Sequence, residues 1–355
     1  MKKLQRLPNA DLIRVLAMIM VIFLHTILNF TIRPDFFATK LYFLLEPIIA
    51  ISKTCVLLFF MLSGYLVVSK NRSLKENTTK TINKIILPLG FFTLLNIAYA
   101  FTKFEYNGNN IDVFVIEQLR RMASFPSSPM WFLVVLAFLY LLNPVWQLIF
   151  AKTQKPALAR FITAAALIFS LLITIIAFPI NKIDLMFNSF TSWTGFAFFY
   201  LYGALIKNKW IEINKPKINL LMIGLGISLT IFGDFITMWQ KVNAVPFIWN
   251  DYTGNYLSIP VTMTAIGLFN LLIKTDLHWL KSKLLVYLAS MSFGIYLIHT
   301  YVISLFTDII GFDFNKLGIN VYLYNFLNVL LVFSISIIIV TILKKIPKLK
   351  TVVGG

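Results

Sequence analysis

Ten apolar stretches divide the chain, each long enough to cross a lipid bilayer as a helix. They lie at 9–32, 45–69, 84–102, 130–150, 160–180, 191–207, 218–239, 255–273, 284–307 and 321–346. Because a backbone inside lipid must satisfy its own hydrogen bonds, such stretches fold as helices. We therefore predict an all-α integral membrane protein with about ten transmembrane helices. Residues 1–350 form a single domain in this interpretation, and 351–355 form a short tail.

The composition excludes an ordinary soluble protein. The chain is 59% hydrophobic and only 13% charged, whereas soluble domains are about 25% charged. The net charge of +18 does not indicate a nucleic-acid partner, because the basic residues lie in short loops between apolar spans. The predicted surroundings are a lipid bilayer. The single cysteine, Cys55, excludes an internal disulfide.

The basic residues also predict the orientation. Of the 32 lysines and arginines, 22 lie in the N-terminal segment, in four alternate loops and in the C-terminal tail. Cytoplasmic loops carry the excess of basic residues in membrane proteins, and ten spans place both termini on one side. We predict a multi-pass protein of the cell membrane with both termini in the cytoplasm.

The first span carries three ionisable side chains on one helical face, at Asp11, Arg14 and His25. Such groups are costly inside a membrane and mark functional sites. Arg14 lies near the cytoplasmic mouth and His25 about 16 Å further along the helix, so a ligand with an anionic head and a long thin arm, such as acyl-coenzyme A, fits the pair. Alternatively, Arg14 reaches the interface beside Asp11, and His25 is a hydrogen-bonded packing residue.

Further motifs follow in order along the chain. Residues 56–65 read Val-Leu-Leu-Phe-Phe-Met-Leu-Ser-Gly-Tyr, and a Lys-x-x-x-Lys element at 80–84 precedes Pro88. Trp-Phe-Leu stands at 131–133, and Ser-Phe-Gly-Ile-Tyr-Leu-Ile-His stands at 292–299. Together with the first span, these motifs resemble the membrane acyltransferase-3 family. The subgroup is similar to surface-polysaccharide O-acyltransferases, including relatives that act on poly-N-acetylglucosamine.

The resemblance implies transfer of an acyl group from cytoplasmic acyl-CoA, a co-substrate and not a resident cofactor, to a hydroxyl of a cell-envelope glycan. It assigns His25 as the catalytic base, in a catalytic element shared with Asp11. Imidazole can remove a hydroxyl proton near neutral pH. It assigns Arg14, Lys80 and Lys84 to the phosphates of the donor. The family element is often Arg-x-x-x-Arg, and lysine binds phosphate as a point charge without the bidentate geometry of arginine.

Lys53, Trp131 and His299 are candidate substrate-binding residues. Lys53 either reaches the outer interface with Glu46 as its partner or stabilises negative charge near His25. Trp131 is either an ordinary interfacial tryptophan or a surface on which a sugar stacks. His299 suits a hydrogen-bonded partner better than a second base. Three scattered histidines and one cysteine lack the spacing of metal ligands, so no metal is predicted.

Two functions remain open at this point. The first is a bacterial membrane O-acyltransferase, with acetyl as the default acyl group and succinyl as the alternative, acting beside polysaccharide-synthesis proteins. The second is a transporter or exporter of a polysaccharide or lipid-linked glycan, since a line of intramembrane charge also fits a substrate pathway. Many transporters contain repeated halves with interrupted helices, and the sequence shows no clear repeat.

Overall fold

The computed structural model describes residues 7–31, 37–102, 110–123, 130–177, 192–212, 215–245, 252–275, 282–306 and 321–354. Within these ranges the chain forms helices joined by turns. The helices are α1 Pro8–Thr31, α2 Lys40–Ser52, α3 Cys55–Val67, α4 Leu74–Thr81, α5 Leu87–Thr102, α6 Ile111–Ala123, α7 Trp131–Leu141, α8 Asn143–Gln147, α9 Pro156–Ala177, α10 Trp193–Lys207, α11 Pro216–Val242, α12 Ile259–Lys274, α13 Lys283–Ser304, α14 Val321–Lys345 and α15 Pro347–Lys350. π-Helical turns at Ile82–Ile86 and Leu148–Lys152 continue α4 and α8.

The all-α membrane fold is confirmed. Among the described residues, eight helical segments are long and apolar enough to cross a membrane, or nine if α7 and the α8 segment, bent by 46°, form one span. Each of the ten predicted stretches overlaps one of these segments or α10. The predicted ends at 32, 178–180, 191 and 307 lie outside the described residues.

The sixth predicted span differs from the others because it is short. α10 has 15 residues, which is about 22 Å of helix against about 30 Å of hydrocarbon. Eleven of its residues are buried, and it packs against α3, α7 and α9. A helix enclosed by protein need not match the thickness of the lipid.

The spans separate into an inner and an outer group. Between 56% and 61% of the apolar window is buried in the spans built on α1, α2 with α3, α12, and α13. Only 17% to 22% is buried in the spans built on α5, α9, α11 and α14. Large apolar side chains such as Phe161, Phe232 and Ile338 are exposed on these outer helices. In a membrane protein such side chains face lipid.

α1 lies at the centre of the inner group, packed against α2, α3, α12, α13 and α14. Its start is held by Asn9, whose Nδ2 donates to the carbonyl oxygens of Leu272 at 2.6 Å and Thr275 at 2.7 Å. Since these carbonyls belong to the free C-terminal end of α12, the asparagine satisfies groups that a helix leaves unpaired. The position of α1 along the membrane normal is therefore tied to α12.

The second span is interrupted next to α1. α2 ends at Ser52 and α3 begins at Cys55, and the hydroxyl of Thr54 donates to the carbonyl of Ile51 at 2.6 Å. Thr54 is fully buried. Non-helical backbone at membrane depth is tolerated where protein surrounds it, and interrupted helices often form binding sites.

α3 and α10 cross in direct backbone contact through two glycines. A Cβ at Gly64 would overlap the carbonyl of Tyr200, and a Cβ at Gly203 would overlap the carbonyl of Met61. Small residues let membrane helices approach this closely. The contact locks the interrupted second span against the buried short helix.

We predict that Gly64→Ala and Gly203→Ala each destabilise the protein by about 1–3 kcal/mol, because the added methyl group overpacks a backbone contact. Gly90→Ala and Gly224→Ala are matched controls, since no atom of another described segment lies within 4 Å of a Cβ at either position. These two controls should leave stability unchanged or raise it slightly. Melting temperatures of the four detergent-purified variants provide the measurement. Equal melting temperatures for the two contact variants and the two control variants would contradict the close contact between α3 and α10.

Candidate active site in the helical bundle

A cleft in the inner group brings α1, the start of α3 and several aromatic side chains together. It is narrow, with a cavity volume of about 40 Å³. The lining residues are Val21, Leu24, His25, Cys55, Val56, Trp131, Tyr256 and Tyr296. His25 is the side chain in this set best suited to take and return a proton near neutral pH.

His25 lies against a second histidine. The ring centroids of His25 and His299 are 5.1 Å apart, and the ring planes are inclined by 49°. His25 is partly exposed to the cleft, whereas His299 on α13 is fully buried. Nδ1 of His299 is 2.5 Å from the carbonyl oxygen of Tyr296. The structure thus brings together two predicted site residues that are 274 positions apart in sequence.

One wall of the cleft is aromatic. The ring of Trp131 lies 5.4 Å from Phe196 and 5.9 Å from Tyr256, centroid to centroid. Trp131 is buried in the protein, so protein side chains surround it. It lines the cleft together with His25. The prediction that it stacks on a sugar stays a prediction.

The first turn of α3 also lines the cleft, through Cys55 and Val56. The first N–H groups of a helix have no acceptor inside that helix, and they carry partial positive charge. The interruption at Thr54 therefore places a weakly electropositive helix end at the cleft. In a continuous helix, the same N–H groups would be hydrogen-bonded to carbonyls of the preceding turn.

A group of basic side chains lies at the other end of the site. Arg14 donates from Nη1 to Oδ1 of Asp11 at 3.0 Å. Lys84, in the π-helical turn after α4, is within electrostatic reach of Arg14, Arg72 and Lys80. π-Helical turns occur frequently at functional sites. The predicted residues Arg14, Lys80 and Lys84 therefore share one region.

Lys70 lies in the same region, outside the membrane-spanning segments. Desolvation, followed by the charges of Arg72, Lys80, Lys84 and Lys207, lowers the pKa of Lys70. We use the name cationic cluster for Arg14, Lys70, Arg72, Lys80, Lys84 and Lys207. An anion placed among them would relieve their mutual repulsion.

One acid, Glu76, offsets part of this charge. Its Oε1 pairs with Lys80 and lies 3.6 Å from Nε of Arg72. Lys80 is therefore already engaged in an exposed ion pair. Arg14 is held by the buried Asp11 and lies within electrostatic reach of Lys84.

Asp11 does not reach the cleft. It lies 14 residues before His25 on the same helix, which is about 21 Å along the axis. Asp11 is buried, its Oδ1 holds Arg14, and its Oδ2 has no hydrogen-bond partner among the described residues. This distance excludes direct contact between Asp11 and atoms reacting at His25. Asp11 contacts Arg14 in this structure, and its predicted catalytic role stays a prediction.

Lys53 has a different partner from the one predicted. Its Nζ donates to Oδ2 of Asp234 on α11 at 2.5 Å, and both side chains are largely buried. Oε2 of the expected partner, Glu46, has no hydrogen-bond partner in the described part of the chain. Gly254 makes room for the pair, because a Cβ there would lie 2.5 Å from Nζ of Lys53. Lys53 therefore joins the second span to α11.

The sequence patterns missed several of these residues. Asp234 is an acid inside the apolar seventh span, a signal that could have identified it as a partner for Lys53. No sequence pattern marks Tyr256, because it reaches the cleft only through the packing of the segment before α12. Lys70 and Arg72 lie in a basic loop, and the membrane orientation of the chain is enough to explain basic residues there.

Comparison with known families identifies the chain. The family model of the acyltransferase-3 acyltransferase domain matches residues 7–345. The chain belongs to the acyltransferase-3 family. Searches of curated proteins and of solved structures return no significant match. The family match covers every residue of the cleft and of the cationic cluster, which supports a membrane acyltransferase.

We predict that Lys53 and Asp234 are energetically coupled. Lys53→Met or Asp234→Leu alone should cost about 1–3 kcal/mol, because each leaves a largely buried charge unpaired. The double variant should be less destabilised than the sum of the two. A double-mutant cycle on melting temperature measures the coupling. Glu76→Gln, in the exposed pair with Lys80, is the control and should leave the melting temperature unchanged.

Purely additive effects in this cycle would show that the two charges do not stabilise each other.

Proposed function

We propose that this acyltransferase-3 protein is a membrane O-acyltransferase that moves an acyl group from cytoplasmic acyl-CoA to a hydroxyl of a cell-envelope polysaccharide or lipid-linked glycan. The observation that carries the proposal is the arrangement along α1. Arg14 stands in the cationic cluster and His25 stands in the cleft, joined by one helix about 16 Å apart.

The donor fits this arrangement by charge and shape. The phosphates of acyl-CoA would lie in the cationic cluster, where Arg14 can bind phosphate bidentately and Lys84 as a point charge. Asp11 holds the guanidinium of Arg14 in place. The long arm of the donor would then run along α1 and present its thioester at His25.

The chemistry follows from the position of His25. Its imidazole removes the proton from the acceptor hydroxyl, and the oxygen bonds to the thioester carbonyl carbon. The carbon–sulfur bond then breaks, and the proton passes from His25 to the departing CoA thiolate. No covalent enzyme intermediate is needed, and the products are the acylated glycan and CoA.

The negative charge that develops on the carbonyl oxygen needs a stabilising group. Lys53 was a candidate, but its ammonium is engaged with Asp234. The first turn of α3 at Cys55 and Val56 lines the cleft itself, and its N–H groups can donate to an oxyanion. We assign this role to the start of α3.

The cleft favours a small acyl group. Its lining is mainly apolar and aromatic, so an acetyl group is accommodated without burying a charge, whereas succinyl would bring a carboxylate that needs a partner. Trp131 and Tyr256 offer flat faces to the sugar that carries the acceptor hydroxyl. We propose the bacterial cell membrane as the location, with both termini in the cytoplasm and the cationic cluster at the cytoplasmic side.

A glycan transporter would use the same helices differently. It would move glycan without cleaving acyl-CoA, and the family match favours the enzyme. Consumption of labelled acyl-CoA together with labelling of envelope glycan separates the two functions. Movement of glycan with no loss of thioester would support the transporter.

We predict that His25→Ala lowers glycan acylation by at least about 10²-fold, because the general base is lost. The measurement is mass spectrometry of envelope glycans from cells that express each variant at equal membrane levels. Thr26→Ala is the matched control, since Thr26 is buried one residue away and its hydroxyl, within the described part of the chain, bonds only to the carbonyl of Phe23 in its own helix. Normal acylation in the His25 variant would contradict the assignment.

We predict that Arg14→Ala and Lys84→Ala raise the dissociation constant for acetyl-CoA and flatten its dependence on salt, because each removes a contact to phosphate. Lys155→Ala, an exposed lysine at the start of α9, should bind as the unchanged protein does. Binding is measured by calorimetry between low and high salt. Equal affinity and equal salt dependence in all three variants would place the phosphates elsewhere.

A further inference from the structure

His299 has one nitrogen occupied and one open. Its Nδ1 lies 2.5 Å from the carbonyl oxygen of Tyr296 one turn earlier on α13. A carbonyl oxygen only accepts hydrogen bonds, so Nδ1 must carry the hydrogen. In a neutral imidazole the other nitrogen, Nε2, then bears a lone pair. The fold thus selects one tautomer of His299.

Nε2 is fully buried and has no hydrogen-bond partner among the residues that the structure describes. Buried polar atoms are nearly always satisfied, and an exception calls for an explanation. Protonating Nε2 would not supply one, because it would bury an unpaired charge. The atom is therefore an acceptor that lacks a donor.

The nearest ring that can supply a donor is His25. The centroids of the two imidazoles are 5.1 Å apart, a separation at which facing ring nitrogens come within hydrogen-bond range when one ring turns. α13 and α1 pack against each other, so the two rings stay within reach of one another. Catalytic hydrogen bonds are often long before substrate binds and tighten in the reactive complex.

We propose that His299 is a positioning residue whose Nε2 accepts a hydrogen bond from one ring N–H of His25. This bond leaves the other nitrogen of His25 as a lone pair facing the cleft, which is the form that a base requires. When His25 takes the hydroxyl proton it carries two N–H groups, and His299 holds one of them. The inference rests on the proposed function.

A neutral acceptor suits this location. The partner of a catalytic histidine is often a buried carboxylate, which fixes the tautomer and stabilises the imidazolium. Here a carboxylate would be a buried charge among apolar helices, which is costly. The hydrogen bond from Nδ1 to Tyr296 orients His299 without any net charge.

Three substitutions separate this role from a purely structural one. The amide of His299→Gln can occupy the position of Nε2 and accept from His25. The amide of His299→Asn can replace Nδ1 and donate to Tyr296, but it is too short to reach His25. His299→Leu retains a similar side-chain volume and removes both hydrogen-bonding nitrogens. Ser292→Ala is the control, because Ser292 is buried on the same helix and, among the described residues, its hydroxyl bonds only to the carbonyl of Ala289.

The assay uses membranes of cells in which the natural gene is deleted and each variant is reintroduced, so that the acceptor is present. Incorporation of labelled acetyl-CoA into envelope glycan gives the maximal rate per mole of protein and the KM for acetyl-CoA. We expect His299→Leu to lower the rate about 10- to 100-fold with unchanged KM. We expect His299→Gln to recover more of the rate than His299→Asn, and the control to equal the unchanged protein.

Rates in His299→Leu within threefold of the unchanged protein would overturn the inference. A rate in His299→Asn equal to or above that in His299→Gln would also overturn it, because the activity would then depend on the hydrogen bond to Tyr296 and not on an acceptor for His25. If His299→Leu fails to accumulate, the comparison of Gln with Asn alone decides. If the unchanged protein incorporates no labelled acetyl group into glycan, the proposed function is contradicted, and this inference, which rests on it, is contradicted too.

Discussion

A single rigid helix sets the dimensions of the site. α1 runs from the cationic cluster to the cleft, and five inner and outer helices pack against it. A helix fixes the rise between two of its residues, so the distance from Arg14 to His25 does not depend on loop conformation. Asn9 ties the start of α1 to the end of α12. The cationic cluster surrounds Arg14, and the cleft surrounds His25.

The surrounding helices solve a problem that the bilayer imposes. Backbone groups at the break between α2 and α3 need protein around them, because lipid cannot satisfy them. Direct backbone contact at Gly64 and Gly203 brings the short helix α10 against the break-bearing span. The outer helices then separate this assembly from lipid. The break between α2 and α3 is therefore surrounded by protein.

Much of the fold could be predicted from hydropathy. Membrane helices are readable from sequence because lipid leaves few alternatives for the backbone, and the predicted stretches reappear as helices. α10 is the exception in length, since its partners are protein. In the site, the residues on one helix, Arg14 and His25, were identifiable from their spacing alone.

Contacts between distant segments were not readable in the same way. Lys53 was predicted to pair with Glu46, seven residues away, but it pairs with Asp234, 181 residues away. Asp11 was grouped with His25 because both lie on one face, yet about 21 Å of helix separates them. Trp131 starts a span, which is typical of an interfacial residue, but neighbouring helices bury it. Tertiary packing decided the outcome for Lys53 and Trp131, whereas the separation of Asp11 from His25 follows from the rise of the helix.

The central claim is that the donor binds along α1, with its phosphates in the cationic cluster and its acyl end at His25. A cryo-electron microscopy structure of the protein in lipid nanodiscs with a non-hydrolysable acetyl-CoA analogue tests it most directly. The account predicts density for the phosphates against Arg14 and Lys84 and density for the acyl group beside His25 in the cleft. Phosphates bound away from Arg14 and Lys84, or an acyl group outside the cleft, would contradict it.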